Sequence, residues 1–376
     1  MRGGMTGQIK RAGTVLALTT LLLAAGSACA QTDAPAPKAP TVKQTLLEGG
    51  SKPPVLNGMN AANAYLDLWE SLPDDKRRAI DGEATDSALL EQQAYISRLI
   101  DIAMMEQCDW GLNYNAGLEL LLPQLGTLRS SARTLAKDAT RLMSLEGTDQ
   151  QRAANQLEAV RRIKAVSRMS QHVKTDRILI SGLVGAAINN LACSWIDERL
   201  HAGTLSTDSA QQLLSNLRSM QNDDLFSLNA SVQGEWDIFD AWFKNKFAGE
   251  DAAKQLAEAI PALSDGNAAP ADAIISAMSR KELDASIARM RDFYTDIADV
   301  WSKPDGRERI AKLSTAVTAG DYGPVAQRLA PALDKSWASD KKGRETYENT
   351  MKLLQAYINN NGALPADLTP PAADVR

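Results

Sequence analysis

The run Glu106-Gln107-Cys108-Asp109-Trp110-Gly111-Leu112-Asn113-Tyr114-Asn115 is the densest mixture of acidic, amide and aromatic side chains in the chain. Asp109 and Glu119 could serve as a carboxylate pair for hydrolysis of a glycan, with Trp110, Asn113 and Tyr114 as binding contacts and the two rings stacking on a sugar. The plainer reading is a structured turn between helices. In that reading Trp110 plugs the end of a bundle, Asn113 or Asn115 caps the following helix, and acidic residues near helix starts need no catalytic role. The plainer reading is preferred.

A second candidate is electrostatic. Arg129, Arg133, Lys137 and Arg141 recur every four residues, and Arg161, Lys164, Arg168 and His172 keep to a narrow arc of the following helix. Two such stripes, with Arg129, Arg133, Arg161 and Arg168 as their contacts, could hold an anionic envelope polymer, lipid headgroups or an acidic protein. The alternative is a wet face opposite an apolar seam.

Other chemistry is thinly represented. His172 and His201 are the two histidines in the chain, and neither has a second histidine or a cysteine at ligand spacing. There is no H-E-x-x-H, C-x-x-C, G-x-S-x-G or phosphate-cradling glycine loop, so neither a metal site nor a cofactor is expected. The two histidines read as carbonyl-facing or solvated residues near helix ends. Cys108 and Cys193 are expected to form a disulfide, worth about 4 kcal/mol in the chain-entropy model, with two buried free thiols as the alternative. Asn189 and Asn190, inside an apolar run, need hydrogen-bond partners if buried and read first as a packing lock. Trp236, Phe239, Trp242 and Phe243 share one helical face, read as core before docking surface.

These residues need helices to position them. Ala, Leu, Gln, Arg, Lys and Asp recur at helical spacing almost throughout, and the fold class is all-α, with antiparallel helical hairpins in a bundle or irregular solenoid. Leu121, Leu125, Leu128, Ala132, Leu135, Ala139 and Leu142 make a heptad seam, with Pro123 at the helix start and Gly147 at its end. Thr148 with Gln151, Asp208 with Gln211 and Ser279 with Glu282 are read as capping boxes for the helices that follow. Thr175 and Asp176 open a helix that is apolar nearly all round through Ile196, expected at the centre of a soluble bundle, where Gly182 and Gly185 allow close packing. Earlier helices are expected over Asn60 to Leu72 and, unbroken, over Ser87 to Cys108. Later ones cover roughly Gly306 to Thr318, Tyr322 to Leu333 and Arg344 to Asn359.

The ends of the chain suggest a destination. Lys10 and Arg11, the apolar run Thr14 to Ala25 and Ala28-Cys29-Ala30 read as a signal peptide over residues 1–30, cleaved before Gln31. Lipid attachment at Cys29 is the alternative, disfavoured by Gly26 three positions before it. Residues 31–55, with Pro35, Pro37, Pro40, Pro53 and Pro54, read as a disordered tether. A helical-hairpin domain over 56–250, a connection with partial helix over 251–280, a C-terminal helical region over 281–362 and a disordered tail over 363–376 complete the organisation. A net charge of -5 with 5% aromatic residues gives no reason to expect nucleic-acid binding. No transmembrane helix is expected in the mature chain, because Asn189 and Asn190 and close flanking charges interrupt the longest apolar run.

Cys108 to about Leu200 resembles a family of exported helical proteins of unknown function common in planctomycete-type bacteria. The matching residues are Asp109-Trp110-Gly111-Leu112-Asn113-Tyr114, Leu121-Leu122-Pro123-Gln124-Leu125, the Arg/Ala/Leu-rich hairpin and the run Thr175 to Ala187 with Leu179-Ile180-Ser181. Leu354 to Pro365 is similar to the family's helix, glycine and proline ending. The resemblance implies tetratricopeptide-like hairpins and export, and supplies no catalytic residue. The functional expectation is a non-enzymatic exported scaffold or binding protein of the cell envelope, with an unknown protein or envelope polymer as partner. The alternative is the carboxylate-dependent glycan hydrolase.

Overall fold

The computed structural model describes residues 40–56, 59–73, 75–76, 85–263, 270–330 and 333–368, and among them all regular structure is helical. The signal peptide, Cys29 and most of the C-terminal tail lie outside the described residues. The first element corrects the second half of the expected tether, the first part of which, residues 31–39, lies outside the described residues. Thr41 accepts from the Gln44 N–H while the Gln44 side chain accepts from the Thr41 N–H, a capping box that starts helix α1, Val42–Glu48. Leu46 and Ser51 are buried, and Lys52 N–H donates to Gly111 O at 2.9 Å, so residues 42–52 are packed against the body of the protein.

Helix α2, Ala61–Ser71, begins at an Asn60 cap, and its apolar face packs on the expected second helix, which is broken in two. Asp86–Glu91 (α3) and Gln93–Ala103 (α4) meet at Gln92, whose φ of -105° and ψ of 19° fall outside the helical well. A loop then leads to a 3-10 turn, Tyr114–Glu119. Gly117 at its centre has φ 55°, and a Cβ there would lie 2.1 Å from the Trp242 side chain; only glycine permits both the turn and that contact.

The central hairpin follows the reading of its seam. Helix α5 spans Pro123–Ser144 with proline in its first turn, and α6 spans Asp149–Val173 behind the Thr148–Gln151 capping box. Four residues join them, so the two run antiparallel with Leu125, Leu128, Ala132, Leu135, Ala139 and Leu142 buried. Burying a Leu side chain contributes roughly 1.5–3 kcal/mol, so this seam is a major part of what fixes the hairpin.

Helix α7 is Leu179–His201, starting later than expected because Arg177 adopts a left-handed conformation, φ 48°. It packs on α5 and α6, and at Gly185 the approach is so close that a Cβ would lie 3.0 Å from Ser170 O. Among the described helices it has the length and apolarity for a membrane crossing, yet 61% of its most apolar stretch is buried by its neighbours. Helix α8, Thr207–Met220, is capped by Ser206 rather than by the expected Asp208. In α9, Leu228–Lys246, the face bearing Trp236, Phe239, Trp242 and Phe243 is buried, so the core reading holds.

Two helices, α10 (Ala252–Leu263) and α11 (Pro270–Ser276), occupy the expected connection. They are followed by α12 (Arg280–Trp301), α13 (Gly306–Ala319), α14 (Gly323–Leu329) and α15 (Leu333–Asn359). The Ser279–Glu282 capping box starts α12 as read from the sequence. Helix α15 turns back onto α7 and α8, a long-range closure that a strictly one-dimensional stack of repeats lacks. Arg344 anchors it, with Nε 2.9 Å from Asp340 and Nη2 3.0 Å from Asp224.

Candidate functional site

The loop after α4 is a structural knot. Trp110 is fully buried, its ring 6.0 Å from those of both Tyr65 and Trp69 in near-parallel stacks, and its Nε1–H donates to His172 O at 3.3 Å. Asp109 Oδ1 accepts from Gly111 N–H at 2.8 Å, closing a local turn, while Asn60 grips the Asp109 backbone from both sides. Asn113 donates to Gly49 O and its N–H to Ser51 Oγ, tying the loop to the end of α1. Tyr114 is partly exposed and donates its hydroxyl to Asp176 O at 2.9 Å; burial raises its pKa. Glu119 forms an ion pair with Lys246 of α9. Asp109 and Glu119 therefore serve separate partners, and of the two rings expected to stack a sugar Trp110 is closed to solvent while Tyr114 keeps an exposed edge.

The expected Cys108–Cys193 disulfide is corrected: both cysteines are free and buried. Cys108 sits in the loop beside Ala62 and the acidic pair Asp176 and Asp109, whereas Cys193 lies within α7 beside Asn189 and the α15 residue Thr350. Each thiol packs as a small hydrophobe in its own surroundings, and burial pushes Cys193 up to about 12. Asn189 is buried and donates to Cys193 Sγ at 3.5 Å.

Most of the titratable chemistry of the interior has no local signature in sequence. His172 is buried on α6 with Nδ1 3.1 Å from Tyr65 Oη and Nε2 2.9 Å from Met105 O. A carbonyl only accepts, so Nε2 carries the proton and Tyr65 donates to Nδ1. Burial lowers the imidazole to about 4, and its neutral form is fully used. At the start of α7, Glu235 of α9 accepts from Leu179 N–H at 3.0 Å, an N-terminal cap supplied by another helix. Burial pushes Glu235 up to about 7 and Asp176 up to about 8. Asp176 has neutral hydrogen-bond partners, Gln124 and Ser181, at 3.5 and 3.4 Å.

The cationic stripes divide by direction. Asp138, fully buried on α5, accepts from Arg141 Nε at 2.7 Å and from Arg162 Nε at 2.5 Å, and Arg162 also meets Glu158 and Gln93. Arg141 thus leaves the stripe for the core. Asp138 stands between the seam residues Leu135 and Leu142, the signal by which an inward acid could have been found. On α6, Arg161 pairs with Asp101 at 2.9 Å and Arg168 donates to Ser219 Oγ at 3.0 Å. Arg129, Arg133 and Lys137 remain exposed with no carboxylate partner among the described residues. Burial and the neighbouring Arg133 both lower the pKa of Arg129, placing the two guanidiniums within electrostatic reach.

No group of three or more metal-ligating side chains converges among the described residues. The arrangement supports charge recognition on the outside of α5 and close packing elsewhere. Comparison with known proteins gives no match, whether to family models, curated proteins or solved structures.

Proposed function

We propose that the protein is an exported, non-enzymatic helical scaffold that binds an anionic component of the cell envelope through the outer face of α5. The observation that carries this reading is that Arg129, Arg133 and Lys137 meet no counter-charge among the described residues, in contrast to the partnered arginines of α6. The only acidic residue within α5 is Asp138, which is fully buried, so the face presents cations alone on a chain whose net charge is negative. Export rests on the N-terminal signal pattern and on the resemblance of the Cys108 to Leu200 region. The hydrolase alternative loses its geometric support, since Asp109 and Glu119 are committed to separate contacts.

The test is retention of the purified protein on washed envelope fractions. Arg129→Glu with Arg133→Glu should abolish retention at moderate salt, while Arg161→Glu with Arg168→Glu should leave most of it. Equal retention of the first pair and the unaltered protein would remove α5 as the binding face.

A further inference from the structure

The occupant of the α5 face can be narrowed by its shape and chemistry, an inference that rests on the binding reading above. Arg129, Arg133 and Lys137 lie at successive four-residue steps, about 6 Å apart along the helix. They form a straight row with its back fixed in the α5–α6–α7 core. Between Gly126 and Thr140 the exposed side chains include no large apolar residue, so nothing in the row is built to enter a bilayer. Two of its three cations are arginines, whose planar forks match phosphate oxygens two at a time. A carboxylate engages the same fork, but the carboxylates of an acidic peptide sit on flexible side chains that must be ordered one by one, whereas a phosphate chain carries a charge on every backbone unit.

We propose that Arg129, Arg133 and Lys137 bind successive phosphate groups of an extended, phosphate-bearing polymer laid along α5. The mutual repulsion of Arg129 and Arg133 favours such a ligand, because an anion between them relieves it. The polymer is held by its backbone charge, so binding is strongly salt-dependent and indifferent to what the phosphates link.

The probe is fluorescently labelled linear inorganic polyphosphate, followed by anisotropy with the purified protein over a salt series. Three phosphate contacts predict a log–log salt slope of about -2, and each single neutralisation, Arg129→Ala, Arg133→Ala or Lys137→Ala, should reduce its magnitude by about 0.7. Arg129→Lys with Arg133→Lys keeps the charge and should keep the slope while weakening binding roughly tenfold through loss of the forks. Circular dichroism of each variant identifies any that fails to fold, and the lysine pair then carries the test by itself. Polyglutamate of matched length should bind more weakly than polyphosphate. Equal affinity for the two polymers, or a slope unchanged by neutralisation, overturns the proposal. Tighter binding to phosphatidylglycerol vesicles than to polyphosphate, with the same dependence on the three residues, overturns it in favour of a membrane surface. Loss of envelope retention in the arginine variants without polyphosphate binding removes only the phosphate chemistry. Insensitivity of both assays removes the binding role as well.

Discussion

Helix α5 carries four cations at four-residue intervals, and the fold treats them in two ways. Arg141 turns inward, where with Arg162 it surrounds the buried carboxylate of Asp138; Arg129, Arg133 and Lys137 turn outward and meet no counter-charge among the described residues. The inward pair is costly to desolvate and is held because each charge has a partner, so it fixes how α5 and α6 lie against each other. The outward row contributes little to that packing and leaves its charge free for something else. Spacing alone does not say whether a charge is structural; the number and burial of its partners does.

The contrast can be broken most forcefully at Asp138. Asp138→Ala would strand the buried guanidinium of Arg141 and leave that of Arg162 with Glu158 and Gln93, and should lower the unfolding free energy by about 3–5 kcal/mol, measured by denaturant titration. A loss below 1 kcal/mol would mean that the pair is hydrated and not part of the core.

The next largest effect concerns buried acids that lack a cation. Asp176 and Glu235 have folded pKa values of about 8 and about 7, above their ordinary values, so the folded state holds their protons more tightly than the unfolded chain. Their stabilising contribution is complete at low pH and is lost as pH rises through those values. His172, lowered to about 4, acts oppositely and loses its contribution as pH falls below 6.5. Above pH 6.5 the two acids are therefore unopposed among these three, and stability should fall on the order of 1.4 kcal/mol per pH unit for each group still titrating. Denaturation midpoints from pH 6.5 to 8 check this, and Asp176→Asn should flatten the curve near pH 8. A midpoint that rises across this window would contradict the assigned protonation.

Two residues of the same stripe give the finer comparison. Arg141→Ala should cost about 1.5–3 kcal/mol through loss of a buried charge-assisted hydrogen bond, read from the thermal midpoint. At the small end, Arg129→Ala and Arg133→Ala should each stay within about 0.5 kcal/mol of the unaltered protein while weakening envelope retention. A large stability loss from either would place these arginines with the structural set.

Much of the fold was legible where the signal is local. The Thr148–Gln151 and Ser279–Glu282 boxes, the proline at the start of α5 and the apolar seam from Leu125 to Leu142 all act over one or two turns and stand where the sequence places them, whereas Leu121, expected to begin the seam, precedes the helix and is exposed. Thr41 and Gln44 form the same kind of box, so α1 is encoded locally within the proline-rich stretch, where composition masks it. The break at Gln92 and the late start of α7 at Leu179 reflect individual backbone conformations that side-chain periodicity does not encode. The candidate site was less legible because its decisive contacts are distant in sequence. Tyr65 meets His172, Glu119 meets Lys246 and Asn113 meets the end of α1 only after the helices have packed. The pairing of Cys108 with Cys193 failed for the same reason, since compartment and count say nothing about which thiols become neighbours.

The return of α15 onto α7 has a consequence for the order in which the chain acquires its structure. More than a hundred residues separate the end of α7 from the start of α15, so synthesis at 5–20 residues per second leaves α7 without this covering partner for roughly ten seconds. During that interval one of the most apolar helices of the molecule depends on α5, α6 and, once it has emerged, α9 for shelter. Late closure of this kind raises contact order and slows the final step of folding, and it makes the last helix the segment whose loss by truncation would most expose the chain to aggregation.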